Sequence, residues 1–195
     1  MSMWKQTPSQ TVGPYFAYAL TPESYGFRGI ATNRLVEPDT PGEHIVIEGR
    51  VFDGNGDPVE DALLEIWQAD SQGRYADAPG GGSADFLGFG RCGTDPQGRF
   101  RFETVKPGRV PGPDARLMAP HIAVCLTARG LLNHLFTRIY FDDEEEANAE
   151  DPVLELVPEE RRGTLVARRE VRNGAVVYRF DIHLQGERET VFFDV

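Results

Sequence analysis

The sequence predicts an all-β fold, a two-sheet β-sandwich with long active-site loops and an extended N-terminal arm. Three observations lead there. Short runs alternate apolar and polar residues with a period of two, the signature of strands buried on one face. Of the 21 glycines and 14 prolines among the 195 residues, all but Gly49 fall between those runs. The runs number about eight, at the spacing of a sandwich or barrel. With 40% hydrophobic and 26% charged residues, the chain has the mixture of one domain with a packed core.

Taken in order, residues 1–43 carry few strand signals and many prolines and glycines. They read as an extended N-terminal arm laid over the sandwich or packing on a partner subunit, ahead of a single sandwich domain over 44–195. Strands are predicted at 44–52, 62–69, 99–105, 121–129, 134–141, 164–170, 177–184 and 190–194. The run 177–184 is the clearest: Tyr178, Phe180, Ile182 and Leu184 alternate with Val177, Arg179, Asp181 and His183. Turns are predicted where residues tolerant of positive φ separate these runs: Asp53-Gly54-Asn55-Gly56-Asp57-Pro58, Asp95-Pro96-Gln97-Gly98 and Asn173-Gly174. Two longer connections, the Gly-rich 75–90 and the Pro/Gly-rich 106–120, are where a site is expected, since function concentrates on loops carried by a rigid scaffold. Residues 142–151 hold seven carboxylates in ten positions. Their spacing matches no calcium loop, so a solvated face is expected.

Charge and motifs narrow the function. Twenty Lys+Arg against 31 Asp+Glu leave a net charge of −11, which repels phosphate backbones and argues against a nucleic-acid partner. No apolar run reaches the roughly 18 residues that cross a bilayer. The start MSMWKQTPSQ lacks the features of a secretory signal, so no membrane association and a cytoplasmic location are expected. In that setting Cys92 and Cys125 are expected as packed thiols. There is no HExxH, no GxSxG elbow, no dinucleotide fingerprint and no P-loop. His44, His134 and His183 fall on the polar side or at the ends of predicted strands, and no ligand role is assigned to them.

A set of ordered segments carries more information: Thr7-Pro8-Ser9-Gln10-Thr11-Val12-Gly13-Pro14-Tyr15, Leu64-Glu65-Ile66-Trp67-Gln68-Ala69-Asp70, Gly73-Arg74-Tyr75, Thr104-Val105-Lys106-Pro107-Gly108 and Ala119-Pro120-His121-Ile122. In this order, over nearly the whole chain, they resemble the intradiol ring-cleavage dioxygenases. The segment Leu135-Phe136-Thr137-Arg138-Ile139-Tyr140-Phe141 and the tail Glu189-Thr190-Val191-Phe192-Phe193-Asp194 are similar in particular to the alpha-type subunits of its heteromeric members.

The resemblance implies a ferric ion held by two tyrosinates and two histidines, a hard anionic set suited to Fe(III). The histidines come from a His-x-His whose members share one strand face. Tyr75 and His121 match two of the four ligand positions. Val110 stands where the active chains carry a second tyrosine, and Ala123 where they carry the second histidine. Met118 stands where they carry an arginine three residues before the first histidine. Tyr75 and His121 are therefore either vestigial ligand positions or buried polar side chains satisfied by hydrogen bonds.

By the same resemblance, Fe(III) is bound by a partner beta subunit. This chain then has no catalytic residue and completes the cleft in which 3,4-dihydroxybenzoate is opened by O₂. Thr11, Gly13 and Pro14 match a segment beside the aromatic substrate, and Arg129 an arginine near the same cleft, apt for the substrate carboxylate. Bland alternatives are a simple turn for Gly13-Pro14 and a surface or intersubunit ion pair for Arg129. The implied assembly is a higher-order (αβ)n oligomer. Two other readings remain open: a homo-oligomeric dioxygenase with an altered iron site, and a non-catalytic transthyretin-like binding module.

Overall fold

The structure, a computed structural model, describes residues 16–77, 86–112 and 115–194. Eleven strands appear among them: β1 (His44–Phe52), β2 (Leu63–Trp67), β3 (Phe89–Gly93), β4 (Arg99–Val105), β5 (Val110–Pro111), β6 (Leu117–Met118), β7 (Ile122–Thr127), β8 (Leu135–Phe141), β9 (Val166–Arg172), β10 (Ala175–Arg179) and β11 (Ile182–His183). Helices are short: α1 (Phe16–Leu20), α2 (Glu145–Ala149) and α3 (Glu159–Arg162). None among the described residues is long and apolar enough to cross a membrane.

The strands form two layers, as the alternation predicts. One layer runs β4-β1-β10-β9 and the other β8-β7-β2-β3, and a short parallel pairing of β8 with β9 joins them, Tyr140 opposite Val166 and Phe141 opposite Ala167. β1 is central, antiparallel to β4 and parallel to β10 and β11. The inward rows of both layers meet in one core of Ile45, Ile47, Leu64, Ile66, Phe102, Ile122, Val124, Leu126, Ile139, Phe141, Tyr178 and Ile182. This is the alternating side-chain geometry of aligned sheets.

The edges β3 and β4 are bridged by the described part of the arm. Arg91 N donates to Thr32 O, Glu103 N to Asn33 O and Leu35 N to Glu103 O. Val36 is buried beside Phe86 and Val105. Two unpaired strand edges are thereby covered, which removes a site of edge-to-edge association.

Several sequence expectations need correction. The run 177–184 keeps one register along β1 but breaks into β10 and β11, because the Asp181 carboxylate, not a backbone carbonyl, accepts from Arg50 N at 3.0 Å. β9 begins two residues later than predicted, after a 3-10 turn over Gly163–Leu165. Residues 190–194 form only an isolated bridge, Phe136 to Phe193. β3 was hidden by its composition, with two glycines among five residues. β5 and β6 lie within the segment read as loop 106–120.

The acidic stretch is also more than a solvated face. Lys106 Nζ reaches Asp143 at 2.9 Å and Glu144 at 2.6 Å, and lies 5.6 Å from the centre of the Phe141 ring. Burial works against its charge, but the two carboxylates hold the ammonium well above the usual lysine range. The Tyr178 hydroxyl donates to Asp143, and burial together with that carboxylate pushes the phenol up to about 12. Asp151, at the end of the run, is wholly buried.

Candidate functional site

The residues singled out by sequence gather in two places. The first is where the loops after β2 and β4 meet the start of β7. Asp70 builds the first loop: Oδ1 accepts from Gln72 N and Arg74 N, and Oδ2 from Arg74 Nε and Nη2, all within 3.0 Å. Burial opposes the charge, but these donors hold the carboxyl below its usual range. Gly73, at φ +76°, completes the turn, and a Cβ there would stand 2.0 Å from Arg109 O. A Cβ on Gly108 of the second loop would stand 2.5 Å from Gly73 N, and the Gly108 backbone N donates to Asp70 O at 2.9 Å. The Gly73-Arg74-Tyr75 and Lys106-Pro107-Gly108 motifs are thus two interlocked turns that only glycine permits.

Their interlocking sets Tyr75 beside Val110. Tyr75 packs on the cluster of Ala69, Val110 and Met118 and stacks on Trp67, ring centres 5.9 Å apart and nearly parallel. Burial raises its phenol, which the positive charge of Arg138 partly opposes. Val110 and Met118 face each other across the β5–β6 pair.

His121 is buried at the entry to β7, with Nδ1 2.8 Å from Ala119 O. A carbonyl only accepts, so the ring carries its proton on Nδ1. Burial, reinforced by Arg138, lowers its pKa to about 4, so the imidazole is neutral at pH 7. Ala119 is fixed by Asp151, whose Oδ2 accepts from Ala119 N at 2.7 Å. Its Oδ1 accepts from Tyr140 Oη, Val153 N and Leu154 N. Asp151 therefore positions the histidine, a role its place in an acidic run concealed.

Arg138 is the residue that sequence reasoning missed. It sits on β8 directly opposite Ala123 of β7, which is itself opposite Trp67 of β2, so the three side chains share one face. Its Nη1 lies 3.3 Å from Met118 Sδ and 3.4 Å from Tyr140 Oη. The alternation of β8 would have placed it on the outer face, but not against Met118. These residues do not fit a ferric ion. Of the four positions that the resemblance matches to iron ligands, Val110 and Ala123 offer only carbon, and a permanent guanidinium cation shares the face.

The second place is past the other end of β7, a strand of 6 residues that spans roughly 20 Å. There the Arg129 side chain, 74% exposed, makes ion pairs of 2.7 Å with Asp61 and 3.5 Å with Glu60. Both acids line a groove of about 860 Å³ that also takes in Thr21, Ser24 and Tyr25 of the arm. Arg129 and the described arm thus lie on one side of the molecule. The structure does not bring Arg129 to Tyr75 and His121. Thr11, Gly13 and Pro14 lie outside the described residues.

The other three histidines have local partners. His44 Nε2 lies 2.7 Å from Thr40 O, His183 stacks on Phe52 and His134 meets the edge of Phe136. Cys92 and Cys125 are free thiols, opposite neighbouring residues Leu64 and Glu65 of β2 and hence on opposite faces of the sheet.

Comparison with known proteins gives the following. The sequence profile of the Dioxygenase family matches residues 12–186. The chain is 54% identical, over the whole of both chains, to the protocatechuate 3,4-dioxygenase alpha chain of Burkholderia cepacia. It is 38% identical to the beta chain from the same organism, covering 83% of this chain and 72% of that one. Among solved structures, the dioxygenase domain of a dioxygenase carbohydrate-binding protein fusion from Streptomyces sp. SirexAA-E superposes with a TM-score of 0.60 at 26% identity. That match covers 96% of this chain and 100% of the other.

Proposed function

Because the chain belongs to the intradiol dioxygenase family, we propose that it serves as the alpha-type subunit of a protocatechuate 3,4-dioxygenase, paired with a homologous beta subunit that carries Fe(III). The observation that carries this is the match itself. Identity to an alpha chain is 54% end to end, against 38% to the beta chain of the same organism, and half the donor positions hold carbon side chains. The reaction takes 3,4-dihydroxybenzoate and O₂ to 3-carboxy-cis,cis-muconate. Both oxygen atoms enter the product as the ring opens between its hydroxyl-bearing carbons, and no further reductant is consumed. The ferric ion of the partner supplies the chemistry with catechol and dioxygen.

What this chain contributes is position. The side bearing Arg129 and the arm is the one we assign to the partner's cleft, with Thr11, Gly13 and Pro14 at its mouth. Arg129 offers a fixed positive charge for the substrate carboxylate on a molecule whose net charge is −11. Asp61 and Glu60 hold the guanidinium outward and leave it donors to spare. Holding an anionic ring in register and excluding water are catalytic contributions of orientation, not of bond making.

The test is co-purification and turnover. Expressed with its beta partner, the chain should co-elute as a heteromer containing one iron per αβ pair that opens 3,4-dihydroxybenzoate. Expressed alone, it should show no ring opening. Ring opening by this chain alone, with a tyrosinate-to-iron absorption band, would overturn the division of labour.

A further inference from the structure

The groove beside Arg129 has a floor that the function described above does not use. Strands β4, β1 and β10 send alternate side chains to it. Arg101 of β4 and Arg179 of β10 both stand directly opposite Glu48 of β1, and Arg50, two residues along β1, stands directly opposite Arg99 of β4. Side chains two apart on a strand are separated by about 7 Å and neighbouring strands by about 4.8 Å, so four guanidiniums frame a patch the size of a small organic anion.

The acids of the groove do not balance them. Glu48 is shared by Arg101 at 3.5 Å, Arg179 at 3.6 Å and Arg172 of β9, so one carboxylate serves three cations, of which Arg101 and Arg172 also touch Glu103 and Glu170. Asp95 reaches Arg99 only at 3.8 Å, while Asp61 and Glu60 are taken by Arg129. Among the described residues Arg50 forms no ion pair. Like charges directly opposite on neighbouring strands destabilise a sheet, and Arg50 against Arg99 is such a pair. An anion seated between them would turn that repulsion into attraction.

We propose that this floor binds polycarboxylate anions, the chemical class of the ring-opened product, which carries three carboxylates where the substrate carries one. A planar carboxylate meets a guanidinium fork through two parallel hydrogen bonds. A chain of net charge −11 repels such an anion at long range, so a local concentration of arginines decides where it is held. The spacing selects for charge: a monocarboxylate engages one fork, whereas a tricarboxylate engages forks on two strands at once. The groove takes in both this floor and the acids that hold Arg129, which sets the site beside the side assigned to the partner's cleft. Only the identity of the natural anion rests on the proposed reaction.

Equilibrium dialysis of the assembled heteromer tests this, with propane-1,2,3-tricarboxylate as the probe and benzoate as the monocarboxylate control. Oxygen is excluded and 3,4-dihydroxybenzoate is kept saturating, so that the ferric cleft is already filled. The probe should occupy one saturable site per αβ pair and benzoate should not. In R50Q/R99Q the probe should bind roughly tenfold more weakly or worse, the loss expected for a charge-assisted contact. In R116Q/R188Q, which removes two exposed arginines that do not line the groove, binding should hold. Absence of saturable binding, equal binding of benzoate, or equal weakening in the two double variants would each overturn the proposal. Should R50Q/R99Q fail to assemble, R50Q is compared with R116Q on the same criteria. Titration with 3-carboxy-cis,cis-muconate then names the source: tighter binding than the probe assigns the site to the product, and equal binding to polycarboxylates at large. A heteromer without iron would fail the proposed pairing, while the probe titration would still decide the floor.

Discussion

Within the run of acids at 142–151, one residue should matter far more than its neighbours. Asp151 is wholly buried and accepts four hydrogen bonds, from Ala119 N, Tyr140 Oη, Val153 N and Leu154 N, at 2.7 to 3.1 Å. In Asp151→Asn the amide oxygen can keep the three donors at Oδ1. Its NH₂ group then faces Ala119 N–H, donor against donor, in a fully buried position. Losing a charge-assisted bond costs about 1.5–3 kcal/mol, and orphaning a buried donor about 1–3 kcal/mol. Shedding a buried charge returns part of this, which leaves about 3 kcal/mol. For a domain of this size that lowers Tm by roughly 6–12 °C. Glu146→Gln, five residues earlier and exposed, should stay within about 0.5 kcal/mol. Calorimetric melts of the assembled protein and both variants decide it. A fall under about 2 °C for Asp151→Asn, or equal shifts for the two, would refute the accounting of donors.

Three more outcomes follow from the same structure. Lys106→Met removes the ion pairs to Asp143 and Glu144, and because both carboxylates are partly solvated the cost should be about 1–2 kcal/mol, read as a lower urea midpoint with unchanged slope. His121 has its folded pKa depressed from 6.5 to about 4, so its contribution is complete above pH 6.5; as pH falls toward 4 the unfolded chain gains a proton the folded chain refuses, and up to about 3 kcal/mol is lost. Melts from pH 7 to 4 should show that slope, and His121→Gln should flatten it. Arg129→Ala should leave stability within about 0.5 kcal/mol, its ion pairs being exposed, while raising KM for 3,4-dihydroxybenzoate several-fold at nearly constant kcat; an unchanged KM would remove Arg129 from the cleft.

The alternation of residues made both layers legible, since side chains on β1, β2, β4, β7 and β8 must choose a face and the apolar ones choose the core. It failed where strand identity comes from position, not composition. Phe89-Gly90-Arg91-Cys92-Gly93 is a strand because the β2 edge and the arm's Thr32 supply its hydrogen bonds. Tyr75 and His121 were legible because each belongs to a motif with a fixed geometry. Asp151 and Arg138 were not. A carboxylate among six others carries no mark of burial, and an arginine alternating along β8 carries no mark of the residue it meets on β6.

The frame that holds Tyr75, Val110 and His121 is built from the main chain. Tyr75 is hung from the turn that Asp70 and Arg74 close. Val110 follows a turn locked against Gly73, and His121 follows Ala119, which Asp151 grips by its backbone. All three are held by main-chain hydrogen bonds and close backbone approaches, none of which calls on a metal ion. A valine at 110 then adds apolar contact to Ala69 and Met118, and an alanine at 123 leaves room on the face for Arg138. Because the backbone fixes these positions, the side chains at them can change while the packing of the fold is kept.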